Sequence, residues 1–218
     1  MLEALQGSLF DNPVDSAGAP QLGPLRDRVR RTALEHGAWV DQLPTWLAGG
    51  DLLLEALLHD VPWKAERREM YERIVDVPRL TKFYEADEPL PHPLLIRARD
   101  ALSEFYGAEL GEPFVTAGLC LYRDGADSVA WHGDRIGRSR NQDTMVAILS
   151  VGSARSLMLR PRSPSARSGG HSIKHSLGHG DLIVMGGSCQ RTWDHCIPKT
   201  SRPVGPRISI QFRPRGVR

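Results

Sequence analysis

The chain has 218 residues, of which 40% are hydrophobic and 25% are charged, and its formal net charge is +2. This length suits one sizeable domain, and the composition is that of an ordinary globular protein rather than a disordered or fibrous one. No apolar run approaches the ~18 residues of a membrane helix, and the first residues lack the basic and apolar regions of a secretion signal.

Cysteine usage indicates the compartment. Cys120, Cys189 and Cys196 are too few, and of odd number, for a disulfide scaffold. We therefore expect a protein of the reducing cytoplasm. We also expect a monomer without a membrane partner.

The charges are distributed unevenly along the chain. Residues 131–218 contain 15 Lys and Arg against 4 Asp and Glu, whereas residues 1–130 contain 13 against 22. A basic segment of this kind is typical of proteins that bind a polyanion such as nucleic acid. The alternative is that the arginines only solvate one face of the protein.

The N-terminal part is predicted to begin irregularly and then to form helices. Residues 1–25 are rich in Gly, Pro, Asp and Ser, which predicts an extended or flexible lead-in. Residues 26–218 are predicted to form one domain. In it, the leucine-rich segment 51–60 predicts a helix that Asp51 caps and that stops before Pro62.

A second helix is predicted at residues 92–106. Its apolar residues recur at helical spacing and form one face, namely Leu95, Ala98, Leu102 and Phe105. From residue 114 onward, the period changes to that of strands separated by turn residues. The predicted strands cover residues 114–122, 129–134, 144–151, 156–160, 181–185 and 207–212. Segment 160–170 predicts a basic hairpin loop.

Helices followed by an all-β body favour an α+β fold that is mainly β with N-terminal helices. We predict a double-stranded β-helix, or jelly roll, over about residues 114–214, with the helices packed on one of its sheets.

The triplet His132-Gly133-Asp134 ends one of the predicted strands. Residues at i and i+2 on a strand point to the same face, so an imidazole nitrogen and a carboxylate oxygen can bind one metal ion. With a distant histidine, His195, they make the set of two histidines and one carboxylate that is typical of non-heme Fe(II) oxygenases. The same triplet recurs at 179–181, where we interpret it as a hairpin turn.

The third ligand has alternatives in His171, His175 and His179. We favour His195 because its spacing from Arg207 and Arg213 lets all three converge across two adjacent strands. Without a metal, His195 would be an ordinary buried histidine. The neighbouring Cys196 faces away from His195 on a strand, which favours a small buried residue over a zinc ligand.

Arg207 and Arg213 are six residues apart on a predicted strand, so their side chains share one face. Two guanidinium groups suit a small dicarboxylate, since each can pair with a carboxylate through two hydrogen bonds. Iron ligands beside a dicarboxylate site favour a dioxygenase that consumes 2-oxoglutarate and O2.

Several segments resemble the AlkB family of nucleic-acid demethylases, and in particular its eukaryotic DNA-repair branch. The likeness extends over about residues 60–214 and is specific for the motifs jointly rather than singly. In chain order, the motifs are Pro78–Tyr84, Leu119–Asp134, His179–Gly187, Trp193–Lys199 and Pro206–Arg213.

The resemblance implies roles for the cosubstrate and metal residues. His132, Asp134 and His195 would bind Fe(II). Arg207 and Tyr122 would hold the distal carboxylate of 2-oxoglutarate, and Arg213 would hold the carboxylate beside the keto group. Where the family has Asn, this chain has Cys120, a weak hydrogen-bond donor, which predicts weaker cosubstrate binding.

The resemblance also implies a substrate lid at about residues 60–90 that covers the damaged base, with Arg79, Tyr84 and Tyr71 as its members. An acidic residue that often reads the base in the family is replaced here by Ile136. From the charge distribution we further expect phosphate contacts by the basic residues Arg160, Arg162 and Arg167.

The predicted activity is oxidative removal of an N-methyl group from a base of DNA or RNA, with formaldehyde, succinate and CO2 as products. The target base would leave the stack, at lower cost when the lesion already cannot pair. One alternative is a dioxygenase of the same fold that hydroxylates a small metabolite or a protein side chain. Another is a nucleic-acid-binding module without catalysis.

Overall fold

The structure, a computed structural model, describes residues 19–70, 73–134, 137–162 and 172–217, and within 66–76 it describes the backbone only. In these residues the helices are α1 (Asp51–Asp60), α2 (Pro93–Leu110) and the single turn α3 (Cys189–Thr192). The strands are β1 (Gln21–Leu22), β2 (Arg30–Ala33), β3 (Ala38–Leu43), β4 (Leu47–Ala48), β5 (Lys64–Met70), β6 (Arg73–Tyr84), β7 (Thr116–Tyr122), β8 (Val129–His132), β9 (Val146–Gly152), β10 (Arg155–Pro161), β11 (Ile173–Leu177), β12 (Leu182–Gly187), β13 (Trp193–Ile197) and β14 (Arg207–Arg213).

Most strands of the described part form two antiparallel sheets. The larger has eight strands in the order β2-β3-β12-β9-β14-β7-β6-β5, and the smaller has four in the order β11-β10-β13-β8. A short pair, β1 and β4, lies apart from both. The prediction of a mainly β fold, a jelly roll with N-terminal helices, is confirmed.

The two sheets face each other across a buried core. On β7 and β14, alternate residues point to opposite faces because the side-chain period of a strand is two. One set, which includes Leu119 and Ile210, packs with the helices, and the other, which includes Cys120 and Tyr122, faces the smaller sheet. Core side chains fill the face of these central strands that packs with the helices, and the cavity described below lies on the other face.

Helix α2 has sequence signals at both ends. Its first residue is a proline, the side chain of His92 accepts a hydrogen bond from the backbone N–H of Leu94, and Gly111 ends the helix in the left-handed conformation. The predicted apolar face needs one correction, because Tyr106 is buried whereas Phe105 is 39% exposed. Eleven residues make about three turns of 3.6, so Tyr106, not Phe105, lies above Leu95.

The prediction that Asp51 caps α1 is wrong. Gly50 occupies the cap position, the helix has no side-chain cap hydrogen bond, and Asp51 is already its first residue. A carboxylate there still favours the helix through the partial positive charge of the N-terminus.

Several strands were not predicted from the sequence, among them β2, β3, β11 and β13. Within the predicted lid segment, β5 and β6 form an antiparallel hairpin at the edge of the larger sheet. The predicted lead-in at residues 1–25 lies mostly outside the described residues. In the part of the chain that is described, no helix combines the length and apolar character needed to cross a bilayer.

Candidate active site

Three donor side chains meet in the cleft between the two sheets. His132 is the last residue of β8 and pairs in register with His195 on β13, so their rings lie 4.3 Å apart between centroids. Oδ1 of Asp134 lies 3.7 Å from Nε2 of His132 and 3.9 Å from Nε2 of His195. The three donor atoms lie within 4.8 Å of one another, which fits a single metal ion.

Asp134 is positioned by its neighbours rather than by a strand, because β8 ends at His132. Its backbone N–H donates a 3.1 Å hydrogen bond to Oε1 of Gln190 on α3. Its Oδ2 accepts from Nε of Arg213 at 2.8 Å and lies 2.6 Å from Nη2 of the same guanidinium. One carboxylate oxygen is therefore held by Arg213, and the other is left facing the two imidazoles.

The protonation states suit metal binding. The N–H at Nδ1 of His132 donates to the backbone carbonyl of Ala130 at 2.8 Å, which leaves Nε2 as the metal-binding atom. Burial, followed by the neighbouring His132, lowers the pKa of His195 to about 3, so this imidazole is neutral at physiological pH. Burial acts to raise the pKa of Asp134, but Arg213 and the two imidazoles outweigh it and hold the pKa well below its usual range.

The donor set opens into a cavity of about 580 Å³, a size typical of small-molecule sites. Both sheets line it. Strands β6, β7, β9 and β14 of the larger sheet contribute Arg79, Thr81, Phe83, Gly118, Cys120, Tyr122, Ile148, Arg207, Ser209, Gln211 and Arg213. Strands β8, β10 and β13 of the smaller sheet contribute Val129, His132, Leu157, His195 and Ile197.

The expected route of convergence was wrong, although the residues do converge. His195 lies on β13 of the smaller sheet, whereas Arg207 and Arg213 lie on β14 of the larger one. They meet across the cleft between two sheets and not across two adjacent strands. Of the alternative third ligands, the two that the structure describes lie elsewhere: His175 is buried on β11, and Nδ1 of His179 accepts the backbone N–H of Gly152 in a turn.

Arg207 and Tyr122 form the closed end of the cavity. Arg207 is only 1% exposed, and its Nε donates to Oγ of Ser150 at 2.9 Å, which fixes the guanidinium. Its Nη1 is buried and has no hydrogen-bond partner among the described residues. Burial raises the pKa of Tyr122, so its phenol stays neutral and can donate. A buried donor without a partner is costly, and a ligand carboxylate would satisfy it.

The structure brings only part of the predicted base-binding set to the cavity. Arg79 lines it, but Tyr84 does not: its ring is 4% exposed and packs in the core beside the helices. The aromatic residue that lines the cavity is Phe83, because adjacent residues on β6 point to opposite faces. Tyr71 lies outside the described residues, as do Ile136, Arg167 and His171.

The two described arginines of the predicted phosphate contacts lie on the outside of the smaller sheet. The guanidinium of Arg160 lies 4.3 Å from the ring centroid of Trp131. Nε of Arg162 lies 3.3 Å from Asp194, and its Nη1 donates to the backbone carbonyl of Arg191. Neither side chain lines the cavity.

Some residues of the site were missed by the sequence reasoning. Ser209 and Gln211 had an available signal, since they lie two and four residues after Arg207 on the same predicted strand. Residues spaced by two on a strand share one face, so they must lie on the face of the two arginines. Gln190 had none, because its contact with Asp134 joins residues that are distant in the chain. Cys196 is buried at 4% exposure and does not belong to the donor cluster.

With this geometry established, comparisons with known proteins identify the family. Residues 55–213 match the 2OG-Fe(II) oxygenase superfamily. The chain belongs to this superfamily.

Its relatives include AlkB homologues. The chain is 32% identical to the human alpha-ketoglutarate-dependent dioxygenase alkB homolog 3, with 92% of this chain and 71% of that protein covered. It is 29% identical to the DNA oxidative demethylase ALKBH2 of Arabidopsis thaliana, with 53% of this chain and 42% of that protein covered. The predicted resemblance to AlkB proteins is confirmed.

Solved structures support the fold. An oxidoreductase of the 2OG-Fe(II) oxygenase family from Burkholderia pseudomallei aligns with a TM-score of 0.56 at 14% identity, covering 80% of this chain and 84% of that one. OsALKBH1 aligns with a TM-score of 0.54 at 14% identity, covering 84% of this chain and 99% of that one. Fe(II) is the metal of this superfamily, and 2-oxoglutarate and O2 are its usual co-substrates. The two imidazole nitrogens and single free carboxylate oxygen of this oxygenase fit that metal.

Gly118 leaves the space in which Arg213 reaches Asp134. A Cβ at this position of β7 would lie 2.8 Å from Nη1 of Arg213. We expect Gly118→Ala to displace that guanidinium and to raise KM for 2-oxoglutarate by on the order of tenfold to hundredfold, while the melting temperature changes little. Steady-state kinetics and thermal unfolding would measure this.

A matched control exists in helix α2. Gly107→Ala adds the same methyl group where no atom lies within 4 Å. It is expected to leave the kinetics unchanged and to stabilise the fold by about 0.5–1 kcal/mol. Equal KM values for the Gly118→Ala and Gly107→Ala proteins would show that Arg213 does not need this space.

Proposed function

We propose that this oxygenase repairs N-alkylated bases of nucleic acid by oxidative demethylation. The observation that carries the proposal is that one cavity combines the His132, Asp134 and His195 donor set with the aromatic ring of Phe83 and the basic side chain of Arg79. An aromatic ring provides a face on which a base can stack, and a guanidinium group can bind base or phosphate oxygens.

The protein's part of the chemistry is to bind and to orient. Bound Fe(II) would supply the activation of O2 that couples decarboxylation of 2-oxoglutarate to hydroxylation of the N-methyl group. In the overall reaction one oxygen atom enters succinate and the other enters the methyl group, which leaves as formaldehyde while the base recovers its N–H. Asp134 and the two histidines hold the metal, and Arg213 keeps the second carboxylate oxygen of Asp134 occupied.

The cosubstrate would lie along the inward face of β14. Arg207, with Tyr122 beside it, would bind the distal carboxylate at the closed end of the cavity. Arg213, next to the metal ligands, would bind the carboxylate adjacent to the keto group. Two cationic groups at the two ends of one cavity favour a dicarboxylate over a monocarboxylate.

Charge supports a polyanionic substrate over a small metabolite. Residues 131–218, which contain both iron-ligand histidines and both cosubstrate arginines, carry a large excess of Lys and Arg over Asp and Glu. The names of the relatives point the same way, since the Arabidopsis protein is a DNA oxidative demethylase. Phosphate contacts by Arg160 and Arg162 belong to this proposal, although Asp194 offsets part of their charge.

The proposal is tested by product formation. The protein is incubated with Fe(II), 2-oxoglutarate and O2, together with single-stranded DNA or RNA that carries N-methylated bases or the same strand without methyl groups. We expect succinate and formaldehyde in equal amounts with the methylated strands only. If methylated strands raise succinate no more than unmethylated ones, while a metabolite or peptide does raise it, the small-substrate alternative replaces base repair.

Phe83 is expected to stack on the target base. Phe83→Ala should reduce kcat/KM for a methylated strand by the factor that corresponds to ~1–3 kcal/mol, which is the contribution of stacking on one base. It should not change KM for 2-oxoglutarate. Tyr84→Phe is the matched control, since the buried Tyr84 ring faces the core and should tolerate loss of its hydroxyl. An unchanged kcat/KM in Phe83→Ala would show that Phe83 does not stack on the base.

A further inference from the structure

A buried arginine behind the cavity, Arg155, has no role in the site described so far. It is the first residue of β10 and is 4% exposed, yet it does not line the cavity. Its guanidinium donates three hydrogen bonds of 2.8 Å each, to the backbone carbonyls of Asp124, Asp127 and Pro198. A buried charge is costly unless its donors are satisfied, so the three carbonyls are held around one side chain.

These carbonyls belong to the two chain segments that carry the iron-ligand histidines. Two of them lie in the loop between β7 and β8, and β8 ends at His132. The third belongs to Pro198, which directly follows β13, the strand that contains His195. Arg155 therefore connects the segment before one histidine to the segment after the other.

Strand pairing alone holds β8 weakly. It has four residues, is the last strand of the smaller sheet, and pairs with β13 alone among the described strands. His132 pairs with His195 and Val129 pairs with Ile197, and the register shifts between these two pairs. A bulge of this kind leaves one residue without a partner and interrupts the ladder. The position of His132 relative to His195 therefore depends on contacts outside the ladder.

A second contact joins the same two segments. The backbone N–H of Thr200, in the chain after β13, donates a 2.9 Å hydrogen bond to the carbonyl of Gly125 in the loop before β8. The two backbones approach so closely that a Cβ on Gly125 would lie 2.3 Å from the carbonyl oxygen of Thr200. Glycine permits this close approach. The loop before β8 and the chain after β13 thus form one junction, which has Arg155 at its centre.

We propose that Arg155 is a positioning residue of the metal site, which fixes the spacing of His132 and His195 by joining the loop before β8 to the chain after β13. It would contact neither the metal nor a substrate and would act through the two strands. This role concerns the metal ligands alone, so it holds whichever substrate the oxygenase takes.

The test measures metal binding in the absence of 2-oxoglutarate and substrate. Arg155→Met replaces the guanidinium by an unbranched apolar chain, and we expect it to raise Kd for Mn(II) about tenfold to a hundredfold. At saturating Co(II), the visible absorption bands of the bound ion are expected to shift, because they depend on the arrangement of its ligands. Arg155→Lys keeps three N–H donors and should recover part of the lost affinity.

A second variant perturbs the same junction without changing Arg155. Gly125→Ala must displace either Thr200 or the loop. We expect it to raise Kd for Mn(II) and to shift the Co(II) bands in the same direction as Arg155→Met. Gly107→Ala, which adds a methyl group in open space on α2, should change neither measurement.

Arg31→Met controls for a general loss of stability. Arg31 also joins separate elements, since it donates to the carboxylates of Asp41 on β3 and Glu109 on α2. None of these three residues lines the cavity. We expect Arg31→Met to lower the melting temperature while Kd for Mn(II) and the Co(II) spectrum stay unchanged.

An Arg155→Met protein that binds Mn(II) within about twofold of the unmodified protein, with the same Co(II) spectrum, would overturn the proposal. A raised KM for 2-oxoglutarate in that protein would place the effect at Tyr122, whose ring centroid lies 5.7 Å from the Arg155 guanidinium. Equal changes in Arg31→Met would also overturn it, because they would show only a loss of stability. If Arg155→Met does not fold, Arg155→Lys and Gly125→Ala provide the same two measurements, and unchanged values in both would contradict the role of the junction.

Discussion

Replacing His132 or His195 by alanine is expected to abolish turnover and to leave the fold intact. Each change removes one of the three donors that the described residues contribute to the cluster. The loss should exceed a thousandfold, since a metal held by two protein donors is neither retained nor oriented. Succinate formation and metal content measure the effect, and circular dichroism with thermal unfolding measures the fold.

Asp134 should behave differently because it has two partners. Asp134→Ala would also leave the 7% exposed Arg213 without its carboxylate, and breaking a buried ion pair costs about 3–5 kcal/mol. We therefore expect this variant to be inactive and less stable in the metal-free state. Asp134→Asn, which retains one oxygen for Arg213, should be inactive with a smaller loss of stability.

A histidine control is available on β11. Nε2 of His175 is buried without a hydrogen-bond partner in the described structure, so an apolar side chain should replace it at little cost. Turnover is expected to survive His175→Leu. Activity lost in His175→Leu but kept in His195→Ala would move the third ligand to β11.

Arg207→Ala is expected to raise KM for 2-oxoglutarate by a factor that corresponds to ~2–5 kcal/mol, with little change in KM for a methylated strand. Arg207 is almost fully buried and is fixed by Ser150, and its Nη1 has no hydrogen-bond partner among the described residues, so a ligand carboxylate can accept from it. Arg207→Lys should recover only part of the loss, because an ammonium group cannot pair through two parallel hydrogen bonds.

The measurement is steady-state kinetics with each substrate varied in turn. Arg202→Ala removes an exposed charge from the same basic part of the chain and serves as the control. If Arg207→Ala leaves KM for 2-oxoglutarate unchanged, the dicarboxylate binds elsewhere in the cavity.

Local patterns were sufficient for much of the fold. The 3.6-residue period predicted α2, and the change to alternation after residue 114 predicted a β body in which most strand ends fall within two residues of their observed positions. The strand around His195 was missed because β13 has only five residues, all of them buried, and so shows no alternation. The prediction that Asp134 lies on the same strand as His132 was wrong, because that strand ends at His132, two residues earlier.

The sequence by itself determined which residue types could form the site: two histidines and a carboxylate for iron, and two arginines on one strand face for a dicarboxylate. Residues that are spaced by two, or by a multiple of two, lie on the same face of a strand, whichever strand it pairs with. Only the tertiary structure decided that the two histidines and the two arginines lie on opposite sheets, that Gln190 and Arg213 hold Asp134, and that Phe83 rather than Tyr84 faces the cavity. Those facts depend on which strands pair and on which face is covered, and a shift of one residue reverses every side chain of a strand.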